Sequence, residues 1–202
     1  MRDLAVMCNL NVLEAKLENF SKTGSTFLTK RFDREGDRRI HFASAMTLLG
    51  KRDGANAMEG SSYMEIASII KTNSATPGKD LLELWSRIVF NMAVSNTDDH
   101  LRNHGFVLVK DGWSLSPAYD INPDIYGDTL SLNVDSDNNL IDFNVALSVA
   151  KMYGLTDTQA LEKIKEIKNV VESNWRRLAQ KYGLSRSEIE GMAPAFDMRY
   201  KE

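Results

Sequence analysis

The sequence predicts a mainly α-helical fold with short β-hairpins, an α+β class. Three observations carry this prediction. An unbroken apolar stripe follows residues 81–93, as is typical of a helix that packs into a core. A longer amphipathic pattern covers residues 156–181, with an acidic start, a basic end and Gly183 as a stop signal. Two strand-like runs meet at Asp111-Gly112, a dipeptide that strongly favours a hairpin.

The N-terminal part of the chain mixes short elements. Residues 3–10 resemble the end of a helix, since their apolar side chains share one face. Residues 11–20 read as a strand with a polar return, and residues 25–34 alternate like a second strand before a charged turn. Residues 41–50 are apolar and end in Gly50, which predicts a short helix with a glycine stop.

The remaining helices have recognisable ends. Apolar side chains recur at helical spacing in residues 62–73, and Pro77 favours the first position of the helix that carries the apolar stripe. A helix is predicted from about Leu140 to Gly154. Ser185 and Glu188 match a capping box at the start of a last helix. The sequence contains no internal repeat, and it predicts one domain over residues 1–202.

Composition excludes several classes of protein. The chain has 202 residues, 43% of them hydrophobic, and a net charge of −3, so a general phosphate-binding surface for nucleic acid is not expected. Cys8 is the single cysteine, so no internal disulfide forms, and we expect a reducing cytoplasm. The sequence shows no secretion signal and no run of 18 apolar residues, so a membrane span is not expected.

Three polar residues stand out around the predicted hairpin. Asp98 and Asn103 lie five positions apart directly after the apolar helix, and Asp120 follows the hairpin. Phosphoryl transfer needs such groups, because one carboxylate accepts the proton of the attacking hydroxyl while an amide and a second carboxylate hold Mg²⁺. The spacing matches the catalytic loop of protein kinases, which places the base five residues before an asparagine.

Structural readings of the same residues stay open. Asp98 could cap a turn and Asn103 could occupy a left-handed turn position, because Asp and Asn often have these roles. His100 and His104 are four residues apart and could bind zinc, although a solvent-facing or hydrogen-bonded pair is the favoured reading. Trp85 and Trp175 lie on apolar stripes and are predicted to be core residues, while Trp113 on the hairpin is expected to be partly exposed.

The segments NMAVSNTDDHLRNHGFVL and WSLSPAYDINP resemble the catalytic segment of the HipA family. These are serine/threonine protein kinases of atypical sequence, known as toxins of bacterial toxin–antitoxin pairs. The segment TFLTKRFDR resembles the hinge strand of the family, and the similarity covers nearly the whole chain. The resemblance implies a protein-kinase-like large lobe, with a hinge-side part at residues 1–34 and a helical part at residues 35–202.

The resemblance also implies roles for individual residues. Asp98 matches the catalytic base of the family, and Asn103 and Asp120 match its Mg²⁺ ligands. A second set is implied near ATP. Lys30 and Phe32 match hinge positions whose backbone meets the adenine, Asp33 matches a position near the ribose, and His100 matches a histidine near the nucleotide.

One departure from the family limits this reading. The family carries a phosphate-binding loop and a phosphate-contacting lysine before the hinge, whereas no Gly-rich loop precedes residue 25 here. We therefore expect the small lobe to be largely missing and kinase activity of the chain alone to be weak. Two alternatives stay open: a non-catalytic lobe that binds an antitoxin or a small-lobe partner, and a small-molecule phosphotransferase. Direct nucleic-acid binding is not expected, and the resemblance implies a protein substrate.

Overall fold

The computed structural model describes residues 1–21 and 24–201. The helices are α1 Arg2–Met7, α2 Ala45–Leu48, α3 Tyr63–Asn73, α4 Pro77–Val94, α5 Phe143–Val149, α6 Asp157–Lys181 and α7 Arg186–Met192. The strands are β1 Ala15–Glu18, β2 Thr26–Thr29, β3 Arg34–Glu35, β4 Arg38–Arg39, β5 Phe42–Ser44, β6 Gly105–Val109 and β7 Gly112–Leu115. Helices dominate and the sheets are small and antiparallel, so the predicted fold class is confirmed at this level.

Helix α4 is the centre of the hydrophobic core. Its side chains are buried from Leu84 to Val94 without interruption, and α3, α5 and α6 pack around it. A helical stretch that is buried on all sides must be surrounded by other elements, which explains this position. Trp85 is fully buried, and its Nε1 donates a hydrogen bond to the carbonyl oxygen of Ala146 at 2.9 Å. Pro77 lies in the first turn of α4, as predicted.

In the described residues the β-structure consists of two separate antiparallel strand pairs and a three-stranded sheet. Strands β1 and β2 pair with each other, as do β3 and β4, and the larger sheet has the order β5-β6-β7. The predicted hairpin is confirmed, since Val109 pairs with Gly112 at its end. Gly112 has a φ of +144°, and a Cβ atom there would approach the carbonyl oxygen of Asn73 to 2.6 Å, so glycine is required on two grounds.

The prediction of a helix across residues 41–50 is wrong at its start. Phe42, Ala43 and Ser44 form strand β5, which pairs with β6 through Ala43 and Phe106. Only residues 45–48 are helical, and Gly50 follows with a φ of +64°. The open edge of the β6–β7 hairpin supplies hydrogen-bond partners that local sequence does not reveal, and tertiary pairing overrides the helical pattern.

The predicted glycine stops and the last capping box agree with the structure. Gly183 has a φ of +80° after α6, Gly154 has a φ of +84° after the 3₁₀ helix Ala150–Tyr153 that follows α5, and Ser185 and Glu188 form the capping box of α7. The helix predicted from about Leu140 is shorter than expected, since α5 covers only Phe143–Val149. Trp85 and Trp175 are buried and Trp113 is half-buried, as predicted. No helix in the described part of the chain combines the length and apolarity that a membrane crossing requires.

Candidate active site

The segment that follows α4 holds the first candidate residue in an exposed turn. Helix α4 ends where Ser95 adopts a left-handed conformation with a φ of +50°, which turns the chain sharply. Asp98 is exposed three residues later. Within residues 1–21 and 24–201 its carboxylate makes no hydrogen bond or ion pair, so it caps neither a helix nor a turn. This carboxylate is therefore available to a hydroxyl group that approaches from solvent.

The neighbouring Asp99 has the opposite environment. It is buried, and its Oδ2 accepts hydrogen bonds from the Tyr63 hydroxyl at 2.7 Å, Asn91 Nδ2 at 2.7 Å and His104 Nε2 at 2.9 Å. Burial by itself would raise the pKa of Asp99. The attraction of His104 and the hydrogen bonds from His104 and Tyr63 outweigh that effect, so the pKa lies below its usual value. Asp99 is thus an ionised anchor beneath the exposed turn.

Asn103 is held close to the backbone of Asp98. Its Nδ2 donates to the carbonyl oxygen of Asp98 at 3.2 Å, and its backbone N–H donates to the carbonyl oxygen of His100 at 2.8 Å. Asn103 is buried, with 6% of its surface exposed. Because the amide nitrogen is engaged, the orientation of the amide is fixed, and Oδ1 is the atom that remains for a metal ion. The structure therefore brings Asp98 and Asn103 into one turn, as the sequence predicts.

The β6–β7 hairpin returns the chain to this turn. Tyr119, next to Asp120, donates its hydroxyl to the carbonyl oxygen of Arg102, next to Asn103, at 2.7 Å. Asp120 itself is exposed and adopts a left-handed conformation with a φ of +56°. Asp120 follows the donor residue along the chain and Asn103 follows the acceptor residue. The two predicted metal ligands therefore lie on segments that this hydrogen bond joins.

A cavity of about 1000 Å³ opens beside Asp120. This volume is in the range of small-molecule sites. Its walls include four of the predicted residues: Lys30, Phe32, Asp33 and Asp120. The Phe32 ring stacks on Tyr119, with ring centroids 5.9 Å apart and planes 19° apart. An aromatic wall of this kind suits a planar base, and Tyr119 connects it to the turn that carries Asn103.

The hinge-side residues are already engaged in local contacts. The backbone N–H of Lys30 donates to the carbonyl oxygen of Glu14 at 2.9 Å, so this N–H is not free for an adenine. Asp33 accepts hydrogen bonds from Arg31 at 2.6 and 2.8 Å and from Arg34 at 2.6 Å. The hydrogen bonds from Arg31 hold the pKa of Asp33 at about 2. A ribose contact by Asp33 would have to share the carboxylate with these arginines.

Asp98 and His100 face a second, smaller cavity of about 220 Å³. His100, predicted to lie near the nucleotide, is therefore grouped with Asp98 rather than with Lys30, Phe32 and Asp33. The two cavities are adjacent, because Met46 and Arg102 line both of them. Arg102 also forms an ion pair with Asp53. The site therefore has two compartments, one beside Asp120 and one beside Asp98, which meet at Arg102.

The zinc alternative for His100 and His104 receives no support. His104 is buried against Asp99, and the Tyr63 ring packs edge-on against it at a centroid distance of 5.6 Å. Within the ranges that the structure describes, no three His, Cys, Asp or Glu side chains are grouped so that they could hold a metal ion. The favoured reading of a hydrogen-bonded histidine holds for His104.

Sequence reasoning missed the polar residues that support the site. Arg87 lies within the apolar stripe of α4 and is buried, with Nη2 donating to the carbonyl oxygen of Ser116 at 2.8 Å and Nε donating to Glu83 at 2.8 Å. It therefore fixes the chain that leaves β7 towards Asp120. A charged side chain in the part of α4 that is otherwise uncharged, from Leu84 to Val94, was the available signal, since buried arginines are rare without a specific partner.

Comparison with known proteins assigns the family. The family model of the HipA-like C-terminal domain matches residues 1–175. The chain belongs to this family. The serine/threonine-protein kinase toxin HipA of Shewanella oneidensis is 25% identical over 219 aligned positions, covering 96% of this chain and 48% of that protein. Y4mE of Sinorhizobium fredii, which is named as a candidate kinase, is 31% identical over 126 residues, covering 58% of this chain and 30% of that protein.

Solved structures share the fold of this HipA-like domain. The complex of HipA, HipB and operator DNA from Shewanella oneidensis MR-1 gives a TM-score of 0.78 at 19% identity, covering 96% of this chain and 51% of that chain. The proinflammatory kinase CtkA of Helicobacter pylori gives a TM-score of 0.62 at 13% identity, covering 98% of this chain and 79% of that chain. The HipA-like chain spans about half the length of the HipA protein that it matches in sequence.

Proposed function

We propose that this HipA-like domain is the large lobe of a serine/threonine protein kinase that uses ATP and Mg²⁺. One observation carries the proposal: the free carboxylate of Asp98 lies in the same turn as the buried Asn103, and Tyr119 joins that turn to the segment that carries Asp120. The family relationship and the two kinase folds support it. In this proposal residues 1–34 form the hinge side and residues 35–202 form the helical part of one lobe.

The donor atoms suit Mg²⁺. Asn103 offers an amide oxygen, because its nitrogen is bound to the backbone of Asp98. Asp120 offers a carboxylate whose Oδ1 accepts from Asn122 Nδ2 at 2.8 Å, which leaves Oδ2 as the second oxygen. Mg²⁺ is usually held by one or two protein oxygens together with substrate phosphates and water, so a pair of ligands is sufficient. The ion would neutralise charge on the ATP phosphates.

Asp98 is assigned the role of catalytic base. A serine or threonine hydroxyl of the protein substrate donates a hydrogen bond to the Asp98 carboxylate, which orients its oxygen towards the γ-phosphorus of ATP. The new oxygen–phosphorus bond forms as the bond to the bridging oxygen of ADP breaks, and Asp98 takes the proton. Most of the rate enhancement in such reactions comes from position and charge. The freedom of Asp98 from protein partners is what this role requires.

The cavity beside Asp120 is assigned to the nucleotide. Phe32 and Tyr119 supply a stacked aromatic wall for the base, and Lys30 and Asp33 lie on the same wall. His100 lies instead in the compartment of Asp98. We therefore assign His100 to the boundary between the phosphates and the protein substrate, on the Asp98 side of Arg102.

The proposal includes a partner. The 202 residues contain no Gly-rich loop of the kind that covers ATP phosphates in kinases. We propose that the phosphate-binding loop and the phosphate-contacting lysine come from a small lobe outside the 202 residues or on a partner protein. The solved HipA relative is a complex with HipB and operator DNA, which supports an antitoxin as a second partner of this domain.

The test of this function is calorimetric titration of the chain with ATP in the presence and absence of Mg²⁺. We expect metal-dependent binding that Asp120→Ala removes, and binding that Asp98→Ala retains, because Asp98 touches the hydroxyl and not the nucleotide. Asp128→Asn, which alters another exposed aspartate, serves as the matched control. Absence of any ATP binding by the wild-type chain would contradict the assignment of the cavity beside Asp120 to the nucleotide and favour the partner-binding role.

A phosphotransfer assay with a complete small lobe present tests the base. Asp98→Ala is expected to lower the rate by at least about a hundredfold without a change in the unfolding transition, because proton acceptance and orientation are both lost. Protein substrates and aminoglycosides or sugars are offered in parallel. Phosphate on a small molecule instead of a protein would replace the protein-kinase assignment with a small-molecule phosphotransferase, and full activity of Asp98→Ala would show that the base is misassigned.

A further inference from the structure

The hydrogen bonds beneath the candidate site form a continuous chain from Asp120 to a buried carboxylate. Asn122 Nδ2 donates to Asp120 Oδ1 at 2.8 Å, and the backbone N–H of Asn122 donates to Asn96 Oδ1 at 3.2 Å. Asn96 Nδ2 donates to Asn91 Oδ1 at 3.1 Å. Asn91 Nδ2 then donates to Asp99 Oδ2 at 2.7 Å. An exposed residue at the cavity is thus connected to the core in four steps.

The direction of this chain is set from its buried end. An ionised carboxylate only accepts hydrogen bonds, so Asn91 must present its NH₂ group to Asp99. The Asn91 oxygen therefore faces Asn96, and Asn96 must donate to it with its own NH₂ group. The Asn96 oxygen then faces the backbone N–H of Asn122. Asp99 consequently fixes the orientation of both amides, neither of which could reverse without placing two donors or two acceptors together.

Burial separates these residues from any ligand. Asn96 is 1% exposed and Asn91 is 4% exposed, so neither side chain can reach a nucleotide or a metal ion in the cavity. A buried amide that loses its partner is strongly disfavoured, which makes the chain resistant to rearrangement. Any influence of Asn96 on metal binding must therefore pass through the segment that carries Asp120.

Asp120 needs such a restraint. Its φ of +56° lies in the left-handed region, which non-glycine residues occupy rarely and only where surrounding contacts maintain it. Asn122 restrains the C-terminal side of Asp120 in two ways: its side chain donates to the Asp120 carboxylate, and its backbone N–H donates to the side-chain oxygen of Asn96. Without the Asn96 oxygen, the backbone N–H of Asn122 has no partner in this arrangement, and the turn is free to relax.

We infer that Asn96 is a positioning residue for the metal ligand Asp120: oriented by Asp99 through Asn91, it holds the Asn122 backbone and with it the left-handed turn. This inference rests on the proposed function in one respect, since it takes Asp120 to be a Mg²⁺ ligand. The tether itself is independent of any ligand, so the two parts have separate tests.

The first test measures the tether in the full chain without nucleotide. Hydrogen–deuterium exchange of the Asn122 amide is followed by NMR in wild type, Asn96→Ala and Asp99→Asn. We expect exchange about fivefold faster or more in both variants, because the acceptor is removed in one and its orientation is released in the other. Ile167→Val, a conservative change of a buried residue in α6, is the control for general destabilisation. Wild-type exchange of Asn122 in Asn96→Ala would overturn the inference.

The second test measures metal dependence. The Mg²⁺ concentration that gives half-maximal ATP binding is determined for wild type, Asn96→Ala, Asn122→Ala and the Ile167→Val control. We expect this Mg²⁺ concentration to rise about five- to tenfold in Asn96→Ala and Asn122→Ala, which corresponds to the loss of about one hydrogen bond, and to stay unchanged in Ile167→Val. The ATP affinity at saturating Mg²⁺ should be the same in all variants. The Asn122 side chain is exposed, so Asn122→Ala remains informative if Asn96→Ala does not fold.

The outcomes of the second test are distinguishable. If wild type requires Mg²⁺ but both variants match it, the inference is overturned while the proposed function stands. If wild type binds no Mg²⁺-ATP, the proposed function fails, and the metal-positioning part of the inference fails with it whatever the exchange data show. A rise in the Mg²⁺ requirement of Asn96→Ala together with faster Asn122 exchange supports the inference.

Discussion

The two sides of the candidate site are stabilised in different ways. One side, here called the platform, comprises α3, α4 and the segments 95–104 and 116–124. The other, the hairpin face, comprises residues 15–21 and 24–39. On the platform, Trp85 and Ile88 are fully buried, whereas on the hairpin face Phe27 remains 61% exposed. The platform is therefore part of the hydrophobic core, and the hairpin face lies outside it.

The polar contacts differ in the same way. Those of the platform link residues far apart in sequence, such as Tyr63 with Asp99 and Thr97 with Asp124. The ion pairs described within the hairpin face join residues one to three positions apart, such as Lys16 with Glu18. Exposed local ion pairs contribute little to stability, whereas buried networks have a single geometry. The turn of Asp98 and Asn103 is therefore anchored to the core, whereas the hairpin face, to which we propose the nucleotide binds, is held by local contacts.

The largest expected effect comes from removing the centre of the platform. Trp85→Ala should lower the free energy of unfolding by about 3–5 kcal/mol, because a fully buried ring and its bond to Ala146 are lost. Phe27→Ala on the hairpin face should change it by no more than about 0.5 kcal/mol. Urea unfolding of both variants measures the difference. Equal losses would show that the hairpin face belongs to the core after all.

A buried charge at the end of α4 predicts a pH effect of intermediate size. Lys201 Nζ donates to the carbonyl oxygens of Ala93 and Ala195, and burial lowers its pKa from 10.5 to about 8. Below pH 8 both the folded and the unfolded chain carry the proton, and folding bears the full cost of burying the charge. Between pH 8 and 10.5 the unfolded chain binds more protons, so this contribution to stability rises with pH.

The rise should amount to roughly 3 kcal/mol between pH 7.5 and 10.5, and Lys201→Met should lack it. Free energies of unfolding from urea titrations at several pH values provide the measurement, with each variant compared with wild type at the same pH. Lys30→Met, which changes an exposed lysine of the hairpin face, is the control. A difference between Lys201→Met and wild type that does not vary with pH would contradict the prediction.

A smaller effect is expected where Thr97 of the platform meets Gly127, just after the platform segment 116–124. A Cβ atom on Gly127 would approach Thr97 Cγ2 to 2.4 Å, so Gly127→Ala should cost about 1–3 kcal/mol of stability. Thr97→Ser removes that methyl group and keeps the hydroxyl that donates to Asp124. The double variant should recover most of the loss in urea unfolding. A double variant as unstable as Gly127→Ala alone would show that the contact is not the cause.

Local sequence patterns were sufficient for the elements that depend on neighbouring residues. The apolar stripe of α4, the hairpin at Asp111-Gly112 and the stop at Gly183 follow from periodicity and from backbone preferences. The strand at residues 42–44 was missed, because its hydrogen-bond partners in β6 lie more than 60 positions away along the chain. Family resemblance supplied the roles of Asp98, Asn103 and Asp120, which stay predictions.

By itself the sequence determined the long helices α3, α4 and α6, the stop of α6 at Gly183, and which acids and amides follow α4 and the β6–β7 hairpin. Only the tertiary structure decided that Asp98 is free while Asp99 is buried, that Tyr119 joins the two segments, and that His100 lies apart from Phe32. The physical reason is the distance along the chain over which each effect acts. Backbone conformation responds to residues a few positions away, whereas the partner of a buried polar group is chosen when distant elements pack and exclude water.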